Sequence, residues 1–115
     1  MSYIVNKVQD DLKKIIADAS AKAAEKGVLA SVPSGSFNVE IPADRANGDF
    51  STNAAMAWAR ELRNAPRKIA DAIIAEADLN GTYFERVEVA GPGFINFYLG
   101  DRYYADILKL SLIHI

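Results

Sequence analysis

Residues 93–99 read Gly-Phe-Ile-Asn-Phe-Tyr-Leu, and their side-chain types alternate with the period of a strand. Successive strand residues point to opposite faces, so Ile95, Phe97 and Leu99 share one side and Phe94, Asn96 and Tyr98 the other. The first face is wholly apolar and belongs against a core. The second sets an amide between two aromatic rings. A ring beside an amide is the pair of groups needed to hold an unstacked nucleobase. The ring offers a stacking surface worth about 1–3 kcal/mol, and the amide both donates to and accepts from the base edge. The same residues also suit plain cross-strand packing by Phe94 and Tyr98, with Asn96 merely tolerated between them. The pattern alone leaves both uses open.

Little else in the 115 residues is equipped for chemistry. There is no cysteine, hence no disulfide framework, thiolate metal site or thiol nucleophile. The one histidine, His114, is the penultimate residue, and chain ends are poor places for a catalytic group. No glycine-rich phosphate loop, dinucleotide fingerprint or zinc-binding helix motif is present. The carboxylate pairs Asp10–Asp11 and Glu76–Asp78 fall on polar faces or helix ends and read as solubilising charge. Half the residues are apolar, 24% are charged and the formal net charge is −2, the balance of one soluble globular domain. A whole-surface electrostatic nucleic-acid binder would be basic. The charge is uneven, however: Arg60, Arg63, Arg67 and Lys68 cluster against a single acid, Glu61, ahead of a mildly acidic stretch. The cluster reads either as a solvated helix face or as a set of phosphate contacts. The absence of a signal peptide, of a long apolar run and of cysteine makes a cytoplasmic setting the expectation.

The elements that must carry these residues follow from periodicity. Ile4, Val8, Leu12, Ile15, Ile16, Ala19 and Ala23 recur at spacings of three and four, predicting a helix over 3–26 with Ser2 as N-cap and Gly27 as its stop. Residues 37–41 alternate as a half-buried strand that Pro42 ends, and 49–51 are a second, short strand candidate. The alanine-rich run 53–62 predicts a helix capped by Ser51 or Thr52. Pro66 starts another, with Ile69, Ala70, Ile73, Ile74 and Ala77 inward and an end near Asp78. Two strands, 84–89 and 93–99, flank Gly91-Pro92-Gly93 as a hairpin. A last helix begins at Asp101, with Tyr104, Ile107, Leu108 and Leu110 as its apolar side. Locally pairing strands with segregated helices give an α+β, two-layer fold: an antiparallel sheet of about four strands with helices packed on one face. The face bearing Phe94, Asn96 and Tyr98 is then open to solvent or a partner.

Four stretches together resemble the N-terminal additional domain of arginyl-tRNA synthetases. They are Val87-Glu88-Val89-Ala90-Gly91-Pro92-Gly93-Phe94-Ile95-Asn96-Phe97, Val39-Glu40-Ile41-Pro42, Gly48-Asp49-Phe50 followed by Thr52-Asn53, and Pro66-Arg67-Lys68-Ile69-Ala70. The resemblance covers roughly residues 3–108. One departure is Asn47, where the family commonly has histidine before Gly-Asp. Another is the end of the chain: Ser111-Leu112-Ile113-His114-Ile115 does not resemble the family's continuation into a class I catalytic domain. The expected division is therefore a domain over 1–110 and a short tail over 111–115, foreign or frame-shifted, left by a truncated gene.

The resemblance implies a module that touches the elbow of tRNA(Arg), where a D-loop base is splayed out and held by an aromatic and an amide side chain. Those positions match Phe94 and Asn96. Tyr98 would extend the platform, and some of Arg60, Arg63, Arg67 and Lys68 would contact phosphates. The domain itself is expected to need no cofactor or metal and to be no enzyme alone. ATP, Mg and arginine would bind the catalytic domain of a parent arginine–tRNA ligase. A monomer is expected. The alternative is a protein-interaction or dimerisation module that uses the open aromatic sheet face.

Overall fold

The computed structural model describes residues 3–113. Ser2, the expected cap of the first helix, and His114 lie outside them. The element order is α1 (Tyr3–Glu25), β1 (Val39–Glu40), β2 (Phe50–Thr52), α2 (Ala54–Leu62), α3 (Pro66–Glu76), β3 (Phe84–Ala90), β4 (Phe94–Leu99) and α4 (Asp101–Ile113). The strands form one antiparallel sheet in the order β1-β2-β4-β3. Helices α2 and α3 lie against one face of it, and α1 packs on α3. This is the α+β arrangement expected from the sequence.

The core forms where the periodicities meet. All seven apolar residues predicted to line α1 are buried, and Gly27 ends that helix with φ +80°. From the sheet, Ile95 and Phe97 face the helices and are fully buried, with Phe97 set edge-on to Phe84 at 5.1 Å. Phe50 and Thr52 of β2 pair with Phe97 and Ile95 and share their buried side. Burying each such side chain is worth about 1.5–3 kcal/mol, so α1, α3 and β4 fix the frame on which the open face is built.

Several details depart from the periodic reading. The strand expected over 37–41 shrinks to Val39–Glu40. Phe37 leaves the sheet to pack edge-on against Trp58 at 5.3 Å, and Ile41, beside Pro42, is 71% exposed. At the start of α2 the N-cap position is Asn53, yet the Thr52 hydroxyl accepts from the Ala54 amide at 3.2 Å, so one of the two expected residues does supply a cap. Helix α3 ends at Glu76, slightly before the expected Asp78. In α4 the side that meets the core carries Tyr103 and Ile107. Tyr104, Leu108 and Leu110, expected inward, are exposed. The backbone of α4 runs without a break past residue 110 to Ile113.

Candidate nucleic-acid interface

The open face is set by strand register. Ser51 of β2 sits opposite Asn96 of β4, Glu40 of β1 opposite Ser51, and Glu88 of β3 opposite Asn96. Directly paired residues share a face of the sheet. One row, Glu40–Ser51–Asn96–Glu88, therefore crosses the whole sheet on the side away from the helices. Phe94, two residues before Asn96, lies on the same side opposite Ala90.

Over part of this row the surface sinks into a cleft of about 510 Å³, within the range of roughly 300–1,000 Å³ typical of small-ligand sites. Ser51 and Asn96 line it together with Phe94. The β1 end contributes Glu40, Ile41 and Pro42, the hairpin Gly91 and Pro92, and the loop before β2 Asn47. Phe94 is half-buried and lines the cleft. Asn96 is not the open, solvated amide that strand alternation predicts: it is only 3% exposed, and its Oδ1 accepts a hydrogen bond from Ser51 Oγ at 2.8 Å. A buried amide with partners is held in place, and Asn96 also bears on the Tyr98 hydroxyl as a side-chain hydrogen-bond partner.

Two glycines shape the surroundings. Gly48 has φ +96°, and a Cβ there would lie 2.9 Å from the Phe97 carbonyl oxygen. Gly93 has φ +141°, and a Cβ there would come within 2.8 Å of Pro66 Cβ. The hairpin turn therefore presses directly on the first turn of α3. That closeness brings Arg67 Nη1 to the Gly91 carbonyl, to which it donates at 2.8 Å. Of the four predicted basic residues, Arg67 alone reaches the rim of the cleft this way. Arg60, Arg63 and Lys68 are exposed on the helical layer, on the other side of the sheet, and Arg63 sits at the left-handed C-cap of α2 with φ 52°.

Tyr98 is engaged by the protein at both its hydroxyl and its ring. Its hydroxyl donates to the Ala46 carbonyl at 2.8 Å, and the Arg86 guanidinium lies over its ring at 3.8 Å. The ring face is thus already covered by a cation–π contact. Burial, then the nearby Glu88 charge, raise the Tyr98 pKa above that of a free phenol, with Arg86 opposing. Tyr98 ties β4 to the turn before β2 through its hydroxyl. The turn it holds, Arg45–Asn47, carries Asn47 into the cleft and leaves Arg45 77% exposed, with a loose pairing to Asp49 at 3.8 Å.

Ser51, Glu40, Ile41 and Arg45 escaped sequence reasoning. The 37–41 and 49–51 strand signals take in Glu40, Ile41 and Ser51 but carry no register, and nothing in the sequence points to Arg45. Among the described residues no group of side chains is arranged to hold a metal ion, and no helix is long and apolar enough to cross a membrane.

Comparison with known proteins bears on this geometry directly. The profile of the arginyl tRNA synthetase N terminal domain family matches residues 6–99. The chain belongs to that family. An arginine–tRNA ligase from Acetivibrio thermocellus is 40% identical over 110 residues, covering 96% of this chain and 20% of the relative. One from Desulforamulus reducens is 46% identical over 112 residues, covering 97% and 20%. The arginyl-tRNA synthetase N-terminal domain thus spans about one-fifth of the length of these curated relatives. The solved Plasmodium falciparum arginyl-tRNA synthetase superposes with TM-score 0.57 and 26% identity over 85% of this chain and 18% of its own. The Thermus thermophilus enzyme shares the fold at TM-score 0.56 and 24% identity, over 88% and 16%. The resemblance read from the four sequence motifs is borne out. Within this N-terminal domain, the Gly-Pro-Gly turn and the strand after it build one wall and part of the floor of the cleft.

Proposed function

We propose that the domain binds tRNA(Arg) at its elbow, with Phe94 stacking on a splayed D-loop base and Asn96 bonding to the edge of that base. The observation that carries this reading is the placement of a half-buried aromatic side chain and a partnered amide side by side in the lining of one cleft of the open face. The domain would support arginine attachment by a class I catalytic domain, where ATP, Mg and arginine are used, in the cytoplasm and as a monomer.

The charges on the face agree with a base, rather than a phosphate, in the cleft. Glu40 stands in the same row as Asn96 and lines the cleft, whereas Glu88, also in that row, lies outside the lining and is paired with Arg86. Carboxylates repel phosphate but accept from base N–H groups. The RNA backbone is then expected to pass where the cations are, at Arg67 beside the hairpin and Arg45 at the other end of the face. Stacking and edge bonding set base choice, whereas phosphate contacts set overall affinity and its salt dependence.

The test is titration of tRNA(Arg) transcripts carrying the fluorescent base 2-aminopurine at successive D-loop positions. Phe94→Ala is expected to weaken binding about 5- to 150-fold, the equivalent of about 1–3 kcal/mol, and to abolish quenching at one position. Affinity and quenching both unchanged in Phe94→Ala and Asn96→Ala would exclude this face as the base site. Concentration-dependent sedimentation lost in Phe94→Ala would instead mark the face as a dimer contact.

A further inference from the structure

We infer that Asn80 is a modification site: its side-chain amide is lost spontaneously through a cyclic imide formed with Gly81, while the fold shields the like dipeptide at Asn47. The inference does not depend on the reading of the cleft as a base site.

Asparagine is followed by glycine twice in the chain, at Asn47-Gly48 and Asn80-Gly81. In such a pair the deprotonated glycine amide nitrogen can attack the asparagine Cγ, since glycine has no Cβ to obstruct the approach. A C–N bond forms, the Cγ–Nδ2 bond breaks, and the amide leaves as ammonia with a proton taken from water. Water then opens the cyclic imide at either carbonyl, which gives aspartate or a β-linked isoaspartate. No oxidant or reductant takes part. The step needs a glycine N–H free of hydrogen bonds and a peptide plane able to rotate.

Asn80 meets both needs. It lies in the turn between α3 and β3, closed by Thr82 N donating to the Leu79 carbonyl at 3.1 Å. Asn80 and Gly81 are both exposed, and neither the Asn80 side chain nor the Gly81 N–H has a hydrogen-bond partner among the described residues. Gly81 has φ +77°, and its Cβ position is open space. Turns of types I and II differ in the orientation of their central peptide plane. The Asn80–Gly81 plane can therefore rotate while the Leu79–Thr82 bond holds the ends.

The same dipeptide is locked at 47–48. Gly48 is buried, and its N–H donates to the Arg45 carbonyl at 3.0 Å. The amides on either side are also bonded, Asn47 N to the Asp44 carbonyl and Asp49 N to the Phe97 carbonyl, each at 2.9 Å. Breaking this set is a local opening with its own free-energy cost. Asn47, which lines the cleft, thus keeps its amide in the folded domain. The new carboxylate at position 80 instead adds to a groove lined by Asp18, Glu76 and Asp78 as well as Lys14 and Lys22.

The experiment incubates the full chain at mildly alkaline pH in heavy-oxygen water, folded and in urea, and follows each site by peptide mass spectrometry. Isotope uptake marks conversion during the incubation, and labelling by an isoaspartyl methyltransferase reads the β-linked product. In the folded protein Asn80 is expected to convert about tenfold faster than Asn47, the ratio that about 1.4 kcal/mol of barrier produces. In urea the two rates should approach each other. Asn80→Gln, whose longer side chain would have to close a larger ring, is expected to remove most of the isoaspartate formed by the folded protein. No conversion at Asn80, equal or faster conversion at Asn47 in the folded protein, or undiminished isoaspartate in Asn80→Gln would each overturn the inference. The same ratio persisting in urea would assign the selectivity to local sequence and overturn the shielding.

Discussion

The Tyr98 hydroxyl donates to the carbonyl oxygen of Ala46 at 2.8 Å, tying β4 to a turn 52 residues earlier in the chain. The side chain that strand alternation places beside Asn96 thus spends its polar end on the protein. The ring is held from above by Arg86, and the turn below it presents Asn47 to the cleft. Tyr98 shapes the site from its border.

Tyr98→Phe separates this role from stacking. The ring stays under Arg86 and only the hydroxyl is lost. A stacking residue would tolerate the change. A tie to the turn would not: stability should fall by about 0.5–1.5 kcal/mol, and tRNA affinity should drop a few-fold as the turn bearing Asn47 loosens. Denaturant unfolding and tRNA titration read the two effects, and wild-type behaviour in both would rule out the tie.

The cations divide by whether they reach the open face, which Arg67, though carried by α3, does at the hairpin. Arg45→Gln and Arg67→Gln are each expected to lower the slope of log affinity against log salt by about 1, without altering which D-loop base is preferred. Arg60→Gln and Arg63→Gln, on the helical layer, should leave the slope unchanged. A reversed pattern would place the RNA backbone on the other face.

A pH response is built in away from the cleft. The Glu61 carboxylate accepts from Ser34 N at 2.7 Å, from Gly35 N at 3.1 Å and from Ser34 Oγ at 3.1 Å. These bonds, the Ser34 amide foremost, hold its pKa below the usual glutamate range, with desolvation opposing. Because the folded-state pKa is lowered, the stabilisation is complete above that range and is lost as pH falls through the lowered value. Gly35 in turn accepts from Trp58 Nε1 at 2.7 Å, so indole emission should report the loss. Glu61→Gln is expected to show the acid-form emission already at neutral pH. Identical emission profiles in variant and parent would remove Glu61 from the account.

The hairpin glycines should differ in cost. Gly91 has φ +55° and open space, its nearest prospective contact being Phe94 Cδ2 at 3.8 Å. Gly91→Ala should therefore cost about 1–2 kcal/mol, the left-handed backbone penalty alone. Gly93→Ala adds overlap with Pro66 to a φ that favours glycine and should cost more, about 3 kcal/mol or above. Equal losses in denaturant unfolding would mean that α3 yields easily to the hairpin.

Local periodicity reveals what local contacts decide. Helix α1 carries one unambiguous apolar stripe, so all seven of its predicted core residues are buried. The alternation in β4 likewise sorts Ile95 and Phe97 from Phe94 and Asn96. In α4, tyrosines at 103 and 104 and leucines at 108 and 110 offer competing stripes, and the choice fell to Tyr103 and Ile107 through packing that periodicity does not contain. Asn96 shows the limit most clearly. Its face is legible, but its burial depends on the β2–β4 register, which pairs residues 45 apart. The place of Arg67 depends on how closely Gly93 lets the hairpin approach α3.

That long-range register also governs when the cleft comes into being. Its lining is drawn from the β1 end, the loop before β2, β2 itself and the β3–β4 hairpin, which meet only when β2 has found β4. Closing so long a loop is an entropic cost that slows folding and is recovered late. A chain with α1 and the hairpin formed but β2 undocked would have no binding site at all. RNA would then engage only the finished fold and, by mass action, draw the folding equilibrium toward it.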